Sequence, residues 1–184
     1  MMPVDGLEIM SKFDAIYLGA IGSPDIADTE TLWGLLIPIR RDFDQYINLR
    51  PIRSYKGIAS PLKSEKEIDM VIVRENTEGE YSKVGGRYSE NTPYETALQV
   101  AVFSRHAIER VTRYAVAQAQ SRRKEIVSAT KSNGIIYSMP FWDEVVNSVL
   151  KEHPEIKSTQ ILIDALAAAL VLRPETFDVI VASN

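Results

Sequence analysis

The chain has 184 residues, a formal net charge of −4 and 45% hydrophobic residues, a composition typical of a globular protein with one substantial core or two small ones. Lysine and arginine are scattered apart from Arg122-Arg123-Lys124, so the basic stripe that nucleic acid requires is missing and no nucleic-acid partner is expected. No apolar run reaches the ~18 residues of a membrane span, and the N-terminus does not resemble a signal peptide. We therefore expect no membrane association and a cytoplasmic location.

The chain has no cysteine and only two histidines, His106 and His153, which lie far apart. The lack of cysteine excludes disulfides, thiolate metal sites and cysteine nucleophiles, and it fits a reducing compartment. A zinc site or a Ser-His triad has almost no residues from which to form. We interpret both histidines as surface or helix-packing residues.

Short apolar runs alternate with longer stretches of helical period along the chain. This alternation predicts an α/β fold with a largely parallel sheet, in which ligands bind where the strands end. The predicted strands are 13–20, 68–73, 125–129, 160–164 and 177–183. The predicted helices are 38–46, 92–120, 140–152 and 165–172.

The helix 92–120 has the clearest start signal, because Thr92-Pro93-Tyr94-Glu95 forms a capping box with proline at the first helical position. Apolar residues then recur every three or four positions, which predicts a stripe for the core or an interface. The preceding segment, 81–92, is predicted to be a hairpin or an extended arm around Gly85-Gly86. Because the chain begins and stops beside predicted strands, we expect it to be part of a larger protein.

Three arginines follow apolar segments or lie at element starts, namely Arg40, Arg50 and Arg74. An arginine binds a carboxylate with two parallel hydrogen bonds, so several arginines around one cleft would indicate a substrate with more than one carboxylate. Taken singly, each is more often a surface or ion-pair residue than a ligand contact.

Two further residues follow predicted strands. Lys131, in SATKSNG, could lie in an exposed loop, or it could be placed so that it acts as a base. Asp164 could cap the helix that follows, which local evidence favours, or it could bind Mg²⁺ or Mn²⁺. The glutamates of RENTEGEY (Glu75, Glu78 and Glu80) are interpreted as a solvated or ion-paired loop rather than a metal site.

Five segments together resemble a known family in order and spacing. They are LWGLLIPIRRDFDQYINLRP, VIVRENTEGEYSKVGGR, SATKSNG, MPFWDEV and IDALAAALVLRPETFDVIVASN. They are similar to the middle part of the β-decarboxylating dehydrogenases that act on isocitrate, 3-isopropylmalate, tartrate and D-malate. The segment LWGLLIPIRRDFDQY, together with RENTEGEY and with TKSNG followed by MPFWDE, looks most like the tartrate / D-malate dehydrogenase branch.

The resemblance implies roles for five residues in substrate binding and proton transfer. Arg40, Arg50 and Arg74 match the arginines that hold the substrate carboxylates. Tyr81 matches the tyrosine that protonates the enolate after CO₂ leaves. Lys131 matches the lysine that removes the hydroxyl proton.

Other positions match residues of the metal and cofactor sites. Asp164 matches the metal-binding aspartate that each subunit lends to its neighbour, so that Lys131 and Asp164 would act across a dimer interface. Asn133 and Asn184 match positions near the nicotinamide. Residues 31–37 match the region that contacts the variable part of the substrate.

The implied fold is an isopropylmalate-dehydrogenase-like, three-layer α/β fold with a parallel or mixed sheet that is incomplete at both ends. Residues 1–46 would be part of the larger, cofactor-side domain. Residues 47–184 would be most of the smaller, dimer-forming domain, with an arm near 81–92.

The implied function is NAD-dependent oxidative decarboxylation of a 2-hydroxy dicarboxylic acid, with Mg²⁺ or Mn²⁺, in a homodimer whose subunits share their sites. We expect these 184 residues alone to be inactive, because the family's glycine-rich segment and two further metal-binding aspartates are absent from them. One alternative is a 3-isopropylmalate or isocitrate dehydrogenase. The other is a non-catalytic dimerisation remnant.

Overall fold

The computed structural model describes residues 2–62 and 66–184. These residues divide into two compact units with the boundary between Tyr46 and Ile47. None of the described helices has the length and apolarity that a membrane span requires.

The first unit is helical. It contains α1 (Gly6–Met10) and then a continuous helical run made of α2 (Asp28–Thr31), a π-helical turn (Leu32–Leu36) and α3 (Ile37–Asp42). In the π turn the Ile37 N–H bonds to the Leu32 carbonyl, five residues back. The helix predicted for 38–46 therefore begins earlier, and Pro38, which has no N–H to donate, lies just after the π turn.

The strand predicted for residues 13–20 is wrong. These residues form neither helix nor strand and are mostly exposed. A strand needs neighbouring backbone to satisfy its N–H and C=O groups. Within residues 2–46 the structure places no strand beside this segment. The segment therefore has no partner there with which to form a sheet, despite its apolar pattern.

The second unit contains all seven strands found among the described residues. They are β1 (Ile47–Arg53), β2 (Asp69–Glu75), β3 (Gly85–Tyr88), β4 (Thr96–Gln99), β5 (Glu125–Thr130), β6 (Lys157–Leu162) and β7 (Val179–Ala182). Five of them form one sheet in the order β1-β2-β7-β5-β6. Only β1 is antiparallel to its neighbour, and the other pairs are parallel. The predicted α/β fold with a mostly parallel, mixed sheet is confirmed.

Helices cover both faces of this sheet. They are α4 (Arg105–Gln120), α5 (Ser138–Lys151) and α6 (Ile163–Leu172). The main core lies between one face of the sheet and α4 and α5, and Trp142 is fully buried there with its indole N–H donating to the Ser128 hydroxyl at 3.1 Å. On the other face, Leu166 and Ala169 of α6 pack on a smaller core. This arrangement gives the three layers expected from the sequence.

The predicted helix 92–120 is wrong in nearly its first half, because the observed helix begins at Arg105. Residues 96–99 instead form β4, which pairs with β3 in an exposed antiparallel hairpin. Thr92 and Glu95 do accept local backbone hydrogen bonds, from Tyr94 and Asn91, but they do so in the hairpin turn rather than at a helix start. Gly85-Gly86 lies in β3 and not in the turn.

Helix α4 begins after Ser104, whose hydroxyl accepts a hydrogen bond from the Ala107 N–H at 3.2 Å. Val100 and Phe103, which lie within the predicted helix 92–120, therefore precede the observed helix. Phe103 still contacts the core, because its ring lies edge-on to Trp142 with the centroids 6.5 Å apart. Ala107 and Val111 are buried as predicted.

An ion-pair network joins the sheet to the turn after α4. The Asp178 side chain is fully buried and accepts hydrogen bonds from Arg122 Nε and the Arg123 N–H, both at 2.8 Å. Arg122 also donates to the backbone carbonyl and the carboxylate of Asp69, each at 2.7 Å. Arg53 donates to the same Asp69 carboxylate at 2.8 Å. These contacts connect β1, β2 and the segment before β7.

Candidate active site

Four of the predicted site residues lie at one edge of the sheet. Arg74 is the last residue but one of β2, Asn184 follows β7, Lys131 follows β5 directly, and Asp164 comes two residues after β6. The carboxyl ends of parallel strands meet at the same edge, where ligands bind in open α/β sheets. The register confirms the alignment, because Arg74 pairs with Ala182.

Arg74 is half-buried and held on two sides. Its guanidinium donates a hydrogen bond to Asn184 Oδ1 and lies 6.0 Å from the centroid of the Tyr81 ring. Burial lowers the pKa of Arg74 below its ordinary value, and the nearby charge of Arg50 lowers it further, whereas Tyr81 opposes the shift. A half-buried cation with a second, exposed cation nearby favours the binding of an anion.

Arg50 lies on the same face of the sheet as Arg74. In the antiparallel pair of β1 and β2, Asn48 stands opposite Arg74 and Arg50 stands opposite Ile72, and directly opposed residues share a face. Arg50 Nε donates to Asn48 Oδ1 at 2.9 Å. Asn48 was not identified from the sequence because β1 was not predicted, although two residues apart on a strand is the spacing of a shared face.

The turn between Arg74 and Tyr81 is built around two hydrogen-bonded carboxylates, the buried Glu75 and the half-buried Glu78. Glu75 is only 3% exposed and accepts hydrogen bonds from the Thr77 hydroxyl and from the N–H groups of Thr77 and Glu78, the latter two at 2.8 Å. The interpretation of Glu75 as part of a solvated loop is therefore wrong. Its charge is stabilised by short-range donors instead of by water.

Glu78 is also structural. Its carboxylate accepts hydrogen bonds from the N–H and the hydroxyl of Ser104, both at 2.7 Å, and so ties the turn to the start of α4. The next residue, Gly79, exchanges backbone hydrogen bonds with Val102 at 2.8 and 3.1 Å. Of the three glutamates, only Glu80 is exposed as expected. The turn that carries Tyr81 is thus fixed to neighbouring segments.

Lys131 and Asp164 form an ion pair with each other. Lys131 is half-buried, whereas the Asp164 side chain is 69% exposed. Asp164 does not cap α6, because the start of that helix has no side-chain cap, so the local interpretation as a cap is wrong. The pairing follows from the register of the parallel strands, in which Thr130 stands opposite Leu162.

A mostly apolar cleft of about 350 Å³ lies at this edge of the sheet. Its lining includes Glu80, Phe103, Lys131, Met139, Ile163 and Asn184. The cleft therefore brings together two of the predicted site residues, Lys131 and Asn184. Asn133 is exposed in the turn that follows β5.

Arg40 belongs to the first unit, where it lies in α3 and its carbonyl accepts the Gln45 N–H at 2.8 Å. Residues 31–37 form the π turn and its flanks in the same unit. There the Arg41 guanidinium lies 5.6 Å from the centroid of the Trp33 ring. The roles of Arg40 and of this segment in substrate binding stay predictions.

The described residues do not form a complete metal site. Within residues 2–62 and 66–184, no three histidine or acidic side chains lie close enough together to hold a metal ion. Hard cations such as Mg²⁺ take about six oxygen ligands, and Asp164 supplies one carboxylate that is already paired with Lys131. The assignment of Asp164 to a metal stays a prediction.

A mostly parallel sheet with arginines, a tyrosine and a lysine at its carboxyl edge is an architecture of α/β enzymes that bind small anions. The sequence profile of the isocitrate/isopropylmalate dehydrogenase family matches residues 1–184. The chain belongs to this family, as the resemblance in the sequence predicted.

Individual relatives narrow the comparison. The chain is 53% identical over 188 residues to a D-malate dehydrogenase (decarboxylating) of Escherichia coli K12, and 51% identical over 185 residues to a protein of Bacillus subtilis 168 named probable tartrate dehydrogenase/decarboxylase. Both matches cover 100% of the chain and 52% of the relative. The predicted resemblance to the tartrate / D-malate branch is confirmed.

A solved structure shows the same fold. The isocitrate dehydrogenase of Methylococcus capsulatus matches all of the chain and 52% of its own chain, with a TM-score of 0.87 and 26% sequence identity. The chain thus spans about half the length of the relatives it matches.

Proposed function

We propose that the complete product of the gene catalyses the NAD-dependent oxidative decarboxylation of a 2-hydroxy dicarboxylic acid, with D-malate and tartrate as the first candidates. The observation that carries the proposal is the half-buried Arg74, which lies beside the Tyr81 ring with a second cation, Arg50, nearby. Family membership supports the reaction class. The names of the relatives support the choice of acids.

The arginines would bind the substrate. Arg74 and Arg50 lie on one face of the sheet and would each take a carboxylate oxygen pair, which orients a dicarboxylic acid by both ends. Binding an anion there also relieves the repulsion between the two cations. Arg40 would add a third contact in the same role.

Lys131 and Tyr81 would divide the proton transfers. Lys131 removes the proton from the C2 hydroxyl, and Tyr81 delivers a proton to the carbon from which CO₂ has left. A bound NAD⁺ would supply the oxidant that takes the hydride from C2. Asn133 and Asn184 are the positions assigned to the nicotinamide side.

We also propose a homodimer in which Lys131 and Asp164 act in the partner's site. Their ion pair supports this proposal, because it keeps the two side chains together, so that both would reach the same site of the partner. Family members use a divalent metal, so Mg²⁺ or Mn²⁺ is proposed, with Asp164 as the one ligand in these residues. A cytoplasmic location stays a prediction.

The test is an assay of the complete gene product with Mn²⁺ and NAD⁺ against D-malate, tartrate, 3-isopropylmalate and isocitrate, followed by NADH absorbance. Turnover of D-malate or tartrate is expected. Turnover confined to 3-isopropylmalate or isocitrate would move the protein to another branch of the family. If no acid were turned over by folded protein, the enzyme proposal would be abandoned.

Lys131→Met tests the base directly. We expect turnover to fall by at least about 100-fold, the usual contribution of general base catalysis, with unchanged circular dichroism. Lys157→Met is the matched control, because Lys157 also pairs with a carboxylate, Glu125 at 2.9 Å, but lies at the start of β6. Turnover by Lys131→Met at the level of Lys157→Met would remove Lys131 from the proton path.

A second candidate is a non-catalytic dimerisation module. The observation that favours it is the apolar surface of α6, where Val171 is 61% and Leu172 is 81% exposed. Such a module would be dimeric in sedimentation but would turn over none of the four acids. The assay above therefore separates the two candidates.

A further inference from the structure

Both polar atoms of the Asn184 side-chain amide form hydrogen bonds with other groups of the protein. Its Oδ1 accepts a hydrogen bond from the Arg74 guanidinium, and its Nδ2 donates to the carbonyl oxygen of Glu78 at 2.6 Å. One short side chain thereby connects the end of β2 with the turn that leads to Tyr81. Asn184 itself is half-buried, so water competes only partly for these groups.

The turn packs directly against Asn184. A Cβ at Gly79 would lie 2.6 Å from the Asn184 carbonyl oxygen and 2.8 Å from its Cβ, which is closer than real contacts allow. Gly79 also has a φ of +76°, which glycine adopts without strain. The absence of a side chain at Gly79 is therefore what lets the turn approach Asn184.

We propose that Asn184 is a positioning residue, which holds the Arg74 guanidinium in place relative to Tyr81 by bridging it to the Glu78 carbonyl. The inference rests on the proposed function, in which Arg74 binds a substrate carboxylate and Tyr81 donates a proton. An arginine side chain has several rotatable bonds and loses much freedom when it is ordered. A bridge that orders it before the substrate arrives improves substrate binding and orientation.

This role differs from a contact with the nicotinamide. Both polar atoms of the Asn184 amide have protein partners, and its NH₂ group retains a second hydrogen for another acceptor. The two roles predict different kinetic effects. Loss of a positioning bridge raises KM for the acid, whereas loss of a cofactor contact raises KM for NAD⁺.

The experiment is a double-mutant cycle in the complete gene product, with Asn184→Ala, Arg74→Ala and the double variant. The parameters measured are KM for D-malate, KM for NAD⁺ and kcat. Gln99→Ala is the matched control, because its amide also donates to this turn, at the carbonyls of Glu80 (3.2 Å) and Ser82 (2.8 Å). In contrast to Asn184, Gln99 makes no hydrogen bond to Arg74.

We expect Asn184→Ala to raise KM for the acid on the order of tenfold, as for a hydrogen bond to a charged group, with KM for NAD⁺ changed less than twofold. The double variant should be no worse than Arg74→Ala, because Asn184 acts through Arg74. The Gln99→Ala and Arg74→Ala effects should multiply.

Multiplicative effects of Asn184→Ala and Arg74→Ala, or a rise confined to KM for NAD⁺, would overturn the inference while leaving the proposed function intact. An inactive wild type would instead contradict the proposed function. If Asn184→Ala does not fold, Asn184→Ser takes its place, since serine is polar but too short to reach both partners.

Discussion

Replacement of Asp178 with asparagine should strongly destabilise the second unit. The Asp178 side chain is fully buried and faces three donors, Arg122 Nε, the Arg123 N–H and the Glu125 N–H, at 2.8, 2.8 and 3.4 Å. Asparagine keeps the shape but removes the charge and turns an amide NH₂ toward one of these donors. With the NH₂ in place of Oδ1, Arg122 keeps only its contacts to Asp69; with the NH₂ in place of Oδ2, the Arg123 and Glu125 N–H groups lose their acceptor.

The magnitude follows from the loss of one partner of a buried ion pair, which costs about 3–5 kcal/mol. Because asparagine retains one acceptor, we expect the lower end, about 3 kcal/mol. With a urea m-value of about 2 kcal/mol/M, the unfolding midpoint should fall by about 1.5 M. Asp69→Asn is the matched control, since its side chain is 36% exposed and its loss should cost less than that of a fully buried partner.

The assay is urea unfolding followed by the fluorescence of Trp142, which is fully buried in the core of this unit, and by circular dichroism. To remove the signal of the second tryptophan, the series is made in a Trp33→Phe background. The reasoning fails if Asp178→Asn lowers the midpoint no more than Asp69→Asn does. Such a result would mean that the buried carboxylate is no better stabilised by its donors than an exposed one.

Three further predictions concern stability. Gly79→Ala should cost more than the roughly 1 kcal/mol of an ordinary strained glycine position, and more than Gly57→Ala, which has a φ of +87° but open space around it; urea midpoints of the pair test this, and equal losses would contradict the close contact. Ser104→Ala should cost at least about 1 kcal/mol, because it removes both the cap of α4 and the hydroxyl bond to Glu78, and an unchanged midpoint would contradict both contacts. The pKa of Asp69 lies below its ordinary 3.8, mainly because of the hydrogen bond from Arg122. The ionised Asp69 therefore stabilises the fold at pH values above the pKa of the unfolded state, and this stabilisation is lost as the pH falls through the folded pKa. The urea midpoint of the wild type should fall more steeply than that of Asp69→Asn as pH drops below about 4.

Three of the four parallel strands, β2, β5 and β7, were predictable because each is a short apolar run, whereas β6 is mostly polar and begins three residues before the predicted 160–164. Residues 68–73, 125–129 and 177–183 contain β-branched residues that are buried on both faces, which is the pattern of central strands. Strand β1 was missed because it carries Pro51 and two arginines, features that sequence patterns assign to loops. As the edge strand, it is where a proline is tolerated.

The error at Thr92 has a physical cause. Threonine and glutamate make the same short-range hydrogen bonds in a tight turn as at a helix start, so the capping box could not distinguish the two. What decided between them was pairing of Thr96–Gln99 with Gly85–Tyr88, a contact that no local pattern encodes. The real cap, Ser104, is followed by the helical apolar stripe, and this was the better signal.

Only the part of the candidate site that follows from the order of strands along the chain was predictable. Strand ends placed Arg74 and Lys131 at the correct edge of the sheet. The hydrogen bonds that hold these side chains were not predictable, because they join residues far apart in the sequence. Glu78 and Ser104 are 26 positions apart, and Arg74 and Asn184 are 110 positions apart. In the sequence Glu75 and Glu78 look solvated, because the pattern does not show the N–H and hydroxyl groups that bind their carboxylates.

The two edges of the sheet differ in their tendency to recruit another chain. An open edge offers a row of backbone donors and acceptors that can template aggregation. At β1 this row is interrupted by Pro51, which has no N–H, and is flanked by the charges of Arg50 and Arg53. The exposed strand β6 has no proline and only one charged residue, Lys157 at its start. At high concentration, molecules of this chain should therefore associate more readily through β6 than through β1.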